Sequence, residues 1–302
     1  MSLRTPGDTH ITVPPSEQEE NEIFDTLSAE AALEPDKDTP PAWRRSDRLL
    51  LALALVLIAA TVLLSSGEVS ERFDHLGRAV CGQLSEHSFF CGGRQLPLCA
   101  RCTGTYLGVL VTYVMLSLMG RGRANKLPPL NILLALFLFI ALWALDGLNS
   151  YVTLFTQSPL LYEPSNLLRL SSGLLQGLAL MVIVRPIVAF TLWGESQEER
   201  VVRGYGELAV LVAAVAAVGF VAQSEAPWLY YPLSLSSVAG ELLMLSLVNT
   251  LVLCVLLRRE GAVANWRQAA VLWLAGLAAA LVEVNLINVA RQAISRLLGL
   301  PV

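Results

Sequence analysis

The chain has 302 residues, of which 54% are hydrophobic and only 15% are charged, whereas an average soluble domain is about one quarter charged. This composition excludes an ordinary soluble globule, because so apolar a chain would lack the polar surface that keeps a protein dissolved. The formal net charge is −4. No basic patch lies outside the flanks of the apolar segments, so nothing in the sequence indicates nucleic-acid binding.

The first 48 residues differ in charge from the rest of the chain. They contain five basic and eleven acidic residues, with one proline pair at Pro14 and Pro15 and another at Pro40 and Pro41. Such a segment buries too little apolar surface to offset the chain entropy lost on folding. We therefore predict a disordered acidic cytoplasmic tail over residues 1–48, followed by a transmembrane domain over residues 49–302.

Seven apolar blocks follow the tail, and each suits a helix that crosses a membrane. A bilayer core about 30 Å thick needs roughly 17–25 helical residues. The blocks cover residues 49–66, 103–119, 130–145, 167–184, 208–222, 238–257 and 268–289. The predicted fold class is all-α: a polytopic integral membrane helical bundle of about seven transmembrane helices in contact with the lipid bilayer. The sequence specifies no protein partner or oligomer.

The basic residues that flank the blocks predict the orientation, because Arg and Lys near span ends are held on the cytoplasmic side. If the N-terminus is inside, eleven Arg and Lys residues flank the cytoplasmic ends and seven lie on the opposite side. We therefore expect a multi-pass protein of the cell membrane with a cytoplasmic N-terminus. The loop at residues 67–102 would then lie on the outer face.

Two glycine pairs predict where helices approach each other closely. Gly104 and Gly108 lie four residues apart in the second block, and Gly173 and Gly177 have the same spacing in the fourth. Small residues at this spacing let helix backbones come together within a membrane.

Four of the five cysteines fall in one segment of 22 residues, which covers the end of the outer loop and the start of the second block. They are Cys81, Cys91, Cys99 and Cys102, in the pattern C-x9-C-x7-C-x2-C. Four thiolates can close a tetrahedral zinc site, CxxC is a common half of one, and His87 can substitute for one thiolate. Bound zinc would fix a loop that is too small to have a core of its own.

Two other interpretations of the cysteines stay open. The four thiols can form two disulfides if the loop faces an oxidising compartment, in a structural or assembly protein. Alternatively, Cys99 and Cys102 are the reactive CxxC pair of a membrane thiol–disulfide oxidoreductase, with a thiolate stabilised by the start of the following helix. Cys81 and Cys91 would then relay electrons, an arrangement similar to that of membrane enzymes like vitamin K epoxide reductase. Spacing alone does not separate these interpretations.

Polar residues in or beside the apolar blocks lie toward the face that bears the cysteines. They are Arg101, Asp146, Glu163, Asn166, Arg169, Gln176 and Glu283. Ionisable groups in a membrane are costly and usually face a partner or a cavity. We predict a polar pocket in the outer half of the bundle, capped by the cysteine loop, in which Asp146 or Glu163 pairs with Arg169. Glu241 lies nearer the membrane boundary, where we expect an interfacial group.

Several of these residues also carry a family resemblance. The segments CGQLSEHSF, PLCARCTGTYLG and EPSNLLRLSSGLLQG, together with Asp146 and Gly147, resemble a widespread prokaryotic family of predicted membrane proteins classed as a domain of unknown function. The resemblance covers about residues 78–177 and rests most on PLCARCTG. The family commonly has a histidine after the first cysteine, where this chain has Gly82, and its pattern has no counterpart of Cys91. The resemblance therefore implies a four-ligand zinc site in which a cysteine replaces a histidine, and it implies no activity.

Overall fold

The computed structural model of the chain describes residues 45–64, 67–194 and 197–298. Of the tail predicted over residues 1–48, residues 1–44 lie outside the described ranges. Its last four residues are helical, because the first helix begins at Arg45 rather than at residue 49.

Eight α-helices make up most of the part of the chain that the structure describes. They are α1 (Arg45–Leu64), α2 (Val69–Arg78), α3 (Ala100–Leu118), α4 (Leu130–Thr156), α5 (Asn166–Leu192), α6 (Tyr205–Ala222), α7 (Tyr230–Leu256) and α8 (Trp266–Leu298). Two short strand pairs accompany them: β1 (Phe90–Cys91) with β2 (Arg94–Gln95), antiparallel, and β3 (Ala124–Lys126) with β4 (Gln197–Arg200), parallel. The prediction of an all-α bundle is confirmed.

Five helices of the described ranges are long and apolar enough to cross a membrane: α4, α5, α6, α7 with the turn before it, and α8. They agree with five of the seven predicted blocks. The other two blocks form α1 and α3, which are helices of 20 and 19 residues but are not among the five. Both are more polar at their N-terminal ends, α1 through Asp47 and Arg48 and α3 through Arg101 and Thr103. The bundle is therefore of the multi-pass kind, and the number of seven spans is not confirmed.

The helix α5 is central and α4 is peripheral. In its most apolar stretch, 67% of the residues of α5 are buried, against 17% for α4. The exposed face of α4 carries large apolar side chains such as Leu134, Phe137 and Leu138. In a membrane this face of α4 would contact lipid, while α5 is surrounded by the other helices.

Glycines let α3 and α5 pack backbone to backbone, as the glycine spacing predicts. A Cβ atom on Gly104 would lie 2.3 Å from the Leu170 carbonyl oxygen, and one on Gly177 would lie 1.9 Å from that of Thr105. Gly108 and Gly173 are equally close to the facing backbone. This contact fixes the start of α3, which carries the CxxC pair, beside the start of α5.

Candidate functional site

Three cysteine sulfur atoms meet at the end of the bundle where α3 begins. The Sγ atoms of Cys81, Cys99 and Cys102 all lie within 4.8 Å of one another; we call these residues the cysteine trio. Cys99 is the N-cap of α3 and Cys102 lies in its first turn. Cys81 follows α2, where its N–H donates to the Gly77 carbonyl at 3.0 Å and continues the helical turn. The trio therefore depends on how the end of α2 packs at Gly77 against Pro97 and Leu98, which lead into α3.

Backbone N–H groups point at the sulfur atoms of the trio. The N–H of Cys99 donates to Cys81 Sγ at 3.2 Å, and that of Gln83 donates to the same atom at 3.4 Å. Hydrogen bonds from the Cys102 and Cys81 thiols, and from the Cys102 N–H, hold the pKa of the Cys99 thiol well below its usual range. These donors favour the thiolate at Cys99, which is the form that binds metals and attacks disulfides, while the hydrogen bonds to Cys81 and Cys99, together with burial, raise the pKa of the Cys102 thiol.

Gln83 holds the loop that carries Cys81. Its side-chain amide donates to the carbonyl oxygens of Asp74 at 2.8 Å and Pro97 at 2.7 Å, and its φ angle is +52°. Arg291 of α8 adds a hydrogen bond to the Cys81 carbonyl at 2.9 Å. Gln83 is part of the CGQLSEHSF segment, but its role as a cross-link between α2 and the chain before Cys99 had no signal in the sequence.

Cys91 lies apart from the trio, so the predicted set of four cysteine ligands narrows to three. It belongs to β1, is 1% exposed and packs in the apolar core together with Phe89 and Leu96. Burial raises the pKa of its thiol. At the tip of the hairpin, Gly92 lies against Pro227, just before the start of α7. A contiguous CxxC motif fixes its own geometry, whereas the direction of a hairpin cannot be read from cysteine spacing.

His87 is near the trio without belonging to it. It ends the short turn Ser85–His87 and is partly buried. Burial is the main cause that lowers the pKa of its imidazole. The positive charges of Arg169 and Arg101 lower this pKa further, while the negative charge of Cys99 raises it. The ring is therefore held in the neutral form, which is the form that binds metals.

Arg101 and Asp146 form a buried ion pair beside the trio. The Arg101 Nε and one terminal nitrogen donate to Asp146 Oδ2 at 2.9 and 2.6 Å, and the side chain of Asp146 is 3% exposed. Tyr162 donates to Asp146 Oδ1 at 2.8 Å, and Ser150 accepts from Arg101 at 2.8 Å. A polar cluster thus surrounds Asp146, and a pocket at this place stays a prediction. The sequence analysis did not identify Tyr162 and Ser150 as members of the cluster.

The predicted pairing of Asp146 or Glu163 with Arg169 is wrong. Asp146 pairs with Arg101, because α3 presents Arg101 to α4, where its guanidinium group also lies close to Gly147. Arg169 instead donates to Asn166 Oδ1 at 2.8 Å. Glu163 is exposed in the loop before α5.

The three remaining predicted pocket residues lie in three different places. Asn166 donates to the Ser88 carbonyl at 3.2 Å and so links α5 to the cysteine loop. Gln176 is buried deeper in α5, where its Oε1 has no donor among the described residues. Glu283 accepts from Asn249 at 2.9 Å between α7 and α8, outside the Arg101–Asp146 network.

Glu241 is not the interfacial group that we expected from the sequence. It is 0% exposed, and neither of its carboxyl oxygens has a hydrogen-bond partner within the described ranges. Gly240 packs against the Tyr106 backbone of α3, with 2.1 Å from an added Cβ to the Tyr106 oxygen, and this contact encloses the neighbouring Glu241.

Comparison with known proteins places the cysteine trio in a shared segment. Residues 81–183 match the family described as predicted membrane protein (DUF2085). An uncharacterised protein of Methanothermobacter thermautotrophicus is 34% identical over 108 residues, which are 36% of this chain and 86% of that relative. An uncharacterised protein of Methanocaldococcus jannaschii is 34% identical over 110 residues, which are 36% of this chain and 63% of the relative. No solved structure matches the chain significantly. The family segment contains the trio, Arg101, Asp146, α3, α4 and most of α5.

Proposed function

The chain belongs to the DUF2085 family of predicted membrane proteins, and we propose that its cysteine trio binds a metal ion, zinc, at one end of the helical bundle. The observation that carries the proposal is the convergence of three sulfur atoms within 4.8 Å. Tetrahedral zinc with Zn–S bonds of about 2.3 Å requires sulfur atoms about 3.8 Å apart. Small side-chain rotations of Cys81, Cys99 and Cys102 reach that spacing.

The number of sulfur atoms favours metal over disulfides. A disulfide joins two cysteines and would leave the third thiol of the trio without a partner, whereas a metal ion uses all three. The N–H groups of Cys99 and Gln83 that point at Cys81 Sγ also support a thiolate ligand. A structural zinc site needs thiolates that are held by such outer hydrogen bonds.

We propose His87 as the fourth ligand. Its imidazole is held neutral and lies within electrostatic range of Cys99. The result is a Cys3His site, one of the usual ligand sets of structural zinc. The ion would then tie the turn Ser85–His87, the end of α2 and the start of α3 together above the Arg101–Asp146 pair.

The experiment is to measure metal content and free thiols on detergent-purified protein prepared without chelator or reductant. We expect about one zinc per chain, lost in Cys99→Ser and Cys102→Ser. Cys91→Ser is the matched control, since Cys91 lies apart from the trio, and it should keep the zinc. His87→Gln should bind zinc more weakly, by about 10–100-fold or more. Metal-free protein with oxidised cysteines would contradict the proposal.

One observation favours a thiol–disulfide oxidoreductase as the second candidate. The pKa of Cys99 is lowered by the neighbouring Cys102 and Cys81 thiols, as in a reactive thiolate. Oxidation of Cys99 and Cys102 to a disulfide would deliver two electrons and two protons to a quinone or to the disulfide of a protein partner. This candidate predicts no zinc and a disulfide between Cys99 and Cys102 that a dithiol reductant opens reversibly, whereas a structural disulfide would resist reduction.

A further inference from the structure

A second candidate site lies at the end of the bundle opposite the cysteine trio. A cavity of about 460 Å³ is lined there by Tyr113 and Ser117 of α3, Arg185 of α5 and Trp266 of α8, among other residues. Pockets that bind small ligands have volumes of roughly 300–1,000 Å³. The helix α3 separates the two sites, because Cys102 lies in its first turn and Ser117 in its last.

Arg185 is a buried cation in this cavity without an acidic partner among the described residues. It is 7% exposed. Its guanidinium donates to the Tyr113 carbonyl at 3.0 Å, to Ser117 Oγ at 2.9 Å and to the Arg121 carbonyl at 3.4 Å, and it lies 4.4 Å from the centre of the Tyr113 ring. These acceptors are neutral, so the charge is uncompensated, and two of the five N–H groups of an arginine are left over. A buried charge is normally paired.

The neighbouring Arg121 is a buried arginine at the same end of the protein that does have acidic partners. Arg121 is 5% exposed. It forms ion pairs with Glu199 at 2.6 Å and with Glu207 at 2.9 Å. The fold thus supplies two carboxylates to Arg121, while no acidic residue lines the cavity around Arg185 within the described ranges.

Aromatic side chains and a second cation complete the lining. Arg123 lies over the ring of Trp193 at 3.9 Å and over that of Trp266 at 5.2 Å. The indole N–H of Trp273 is buried and has no acceptor in the part of the chain that the structure describes. The cavity therefore offers two cations, a spare hydrogen-bond donor and flat apolar walls, which together suit an anion attached to an apolar or aromatic group.

We propose that this cavity binds a ligand that carries a phosphate or carboxylate group on an apolar or aromatic body. Arg185 and Arg123 would hold the anionic group, since guanidinium groups match the geometry of both anions. The tryptophan rings would cover the body of the ligand. Two sources supply this chemistry: the headgroup of an anionic lipid and a soluble organic anion. The proposal does not depend on metal binding by the cysteine trio.

Tryptophan fluorescence of the full-length protein tests the proposal, because three of its six tryptophans line the cavity. In phosphatidylcholine nanodiscs, phenyl phosphate and inorganic phosphate are titrated against the protein. In a parallel arm, the protein is placed in nanodiscs that contain phosphatidylglycerol. A saturable fluorescence change with phenyl phosphate identifies a soluble ligand, and a change that requires phosphatidylglycerol identifies a lipid.

The variants separate binding in the cavity from binding elsewhere. Arg123→Gln and Arg185→Gln should each weaken the response by at least about tenfold, since each loses a charge-assisted contact. Arg258→Gln, which changes an exposed arginine at the same end of the bundle, should respond like the unmodified protein. If Arg185→Gln does not fold, Arg123→Gln and the cavity-filling Ala189→Leu give the same test. No saturable response in either arm, or an equal response in all variants, would overturn the proposal.

Discussion

At the scale of single residues, the protonation state of Glu241 follows from its surroundings. Its carboxyl group is buried without a hydrogen-bond partner among the described residues. It shares one face of α7 with Ser234 and Ser237, which are 0% and 1% exposed. A lone ionised carboxylate in such surroundings costs several kcal/mol, so we infer that the group carries a proton.

Replacement of Glu241 by glutamine tests that inference. Glutamine has the shape of a protonated glutamate, so we expect Glu241→Gln to change the free energy of unfolding by less than about 1 kcal/mol. Glu207→Gln is the comparison, because Glu207 is a charge partner of the buried Arg121, and its replacement should be clearly destabilising. Thermal unfolding in detergent measures both. A large loss of stability in Glu241→Gln would mean that the carboxylate is charged and holds a cation.

Replacing one residue of the Arg101–Asp146 pair should be strongly destabilising, unlike Glu241→Gln, because both charges of the pair are present and each compensates the other. Either Arg101→Gln or Asp146→Asn alone leaves a buried charge uncompensated, which costs about 3 kcal/mol. The double variant removes both charges and should be less destabilised than the sum of the two single variants. Unfolding in detergent measures the double-mutant cycle, and strictly additive effects would show that the pair is not coupled.

At the scale of helices, the packing of α3 against α5 depends on glycines that admit no side chain. A Cβ on Gly177 would lie 1.9 Å from a backbone oxygen of α3, and backbone atoms cannot move aside as a flexible side chain can. Gly177→Ala should therefore separate the helices and lower the stability by about 1–3 kcal/mol. Zinc content should fall with it, since the shift also moves Cys99 and Cys102.

Gly206→Ala is the matched control for that variant. Gly206 lies in the first turn of α6, and no atom lies within 4 Å of the position of an added Cβ. Alanine there should be neutral or stabilising by up to about 1 kcal/mol, because it restricts the unfolded chain more than glycine does. Equal effects of Gly177→Ala and Gly206→Ala on unfolding would contradict the close contact between α3 and α5.

The sequence predicted helices and their close approach better than it predicted side-chain partners, for a physical reason. Block length and glycine spacing are properties of a whole segment. They therefore predict a helix and its close contacts correctly even when the predicted ends of the helix are wrong by a few residues. Which side chain faces which neighbour depends on the rotation of each helix about its own axis, which is set by packing over the whole bundle. For this reason Asp146 pairs with Arg101 rather than Arg169, and Glu241 is buried rather than interfacial.

At the scale of the whole molecule, α3 and α5 connect two different ends. The end that carries the cysteine trio holds sulfur atoms and the Arg101–Asp146 pair, and the opposite end holds the cationic, aromatic cavity around Arg185. A helix of 19 residues is about 28 Å long, so a ligand at one end cannot touch the other. The backbone contact of α3 with α5 is one route for coupling between the two ends, and α8, which reaches from Trp266 in the cavity to Arg291 beside Cys81, is another.

The positions of the two ends relative to the membrane give the last prediction. Ser158 is exposed in the loop between α4 and α5, at the end of the bundle that carries the trio, and Glu198 is exposed in β4 at the other end. The excess of Arg and Lys predicts that the Glu198 end is cytoplasmic. A membrane-impermeant maleimide should therefore label Ser158→Cys in intact cells and Glu198→Cys only after lysis, each compared with the unmodified protein.

The alternatives have distinct consequences for the cysteines. If both positions are labelled on the same side, the two ends are not separated by the membrane, and a transmembrane arrangement of α3 to α5 is wrong. If only Glu198→Cys is labelled in intact cells, the bundle is inverted and the trio faces the reducing cytoplasm. Permanent disulfides do not persist there, so an inverted bundle would leave metal binding or reversible redox chemistry as the role of Cys81, Cys99 and Cys102.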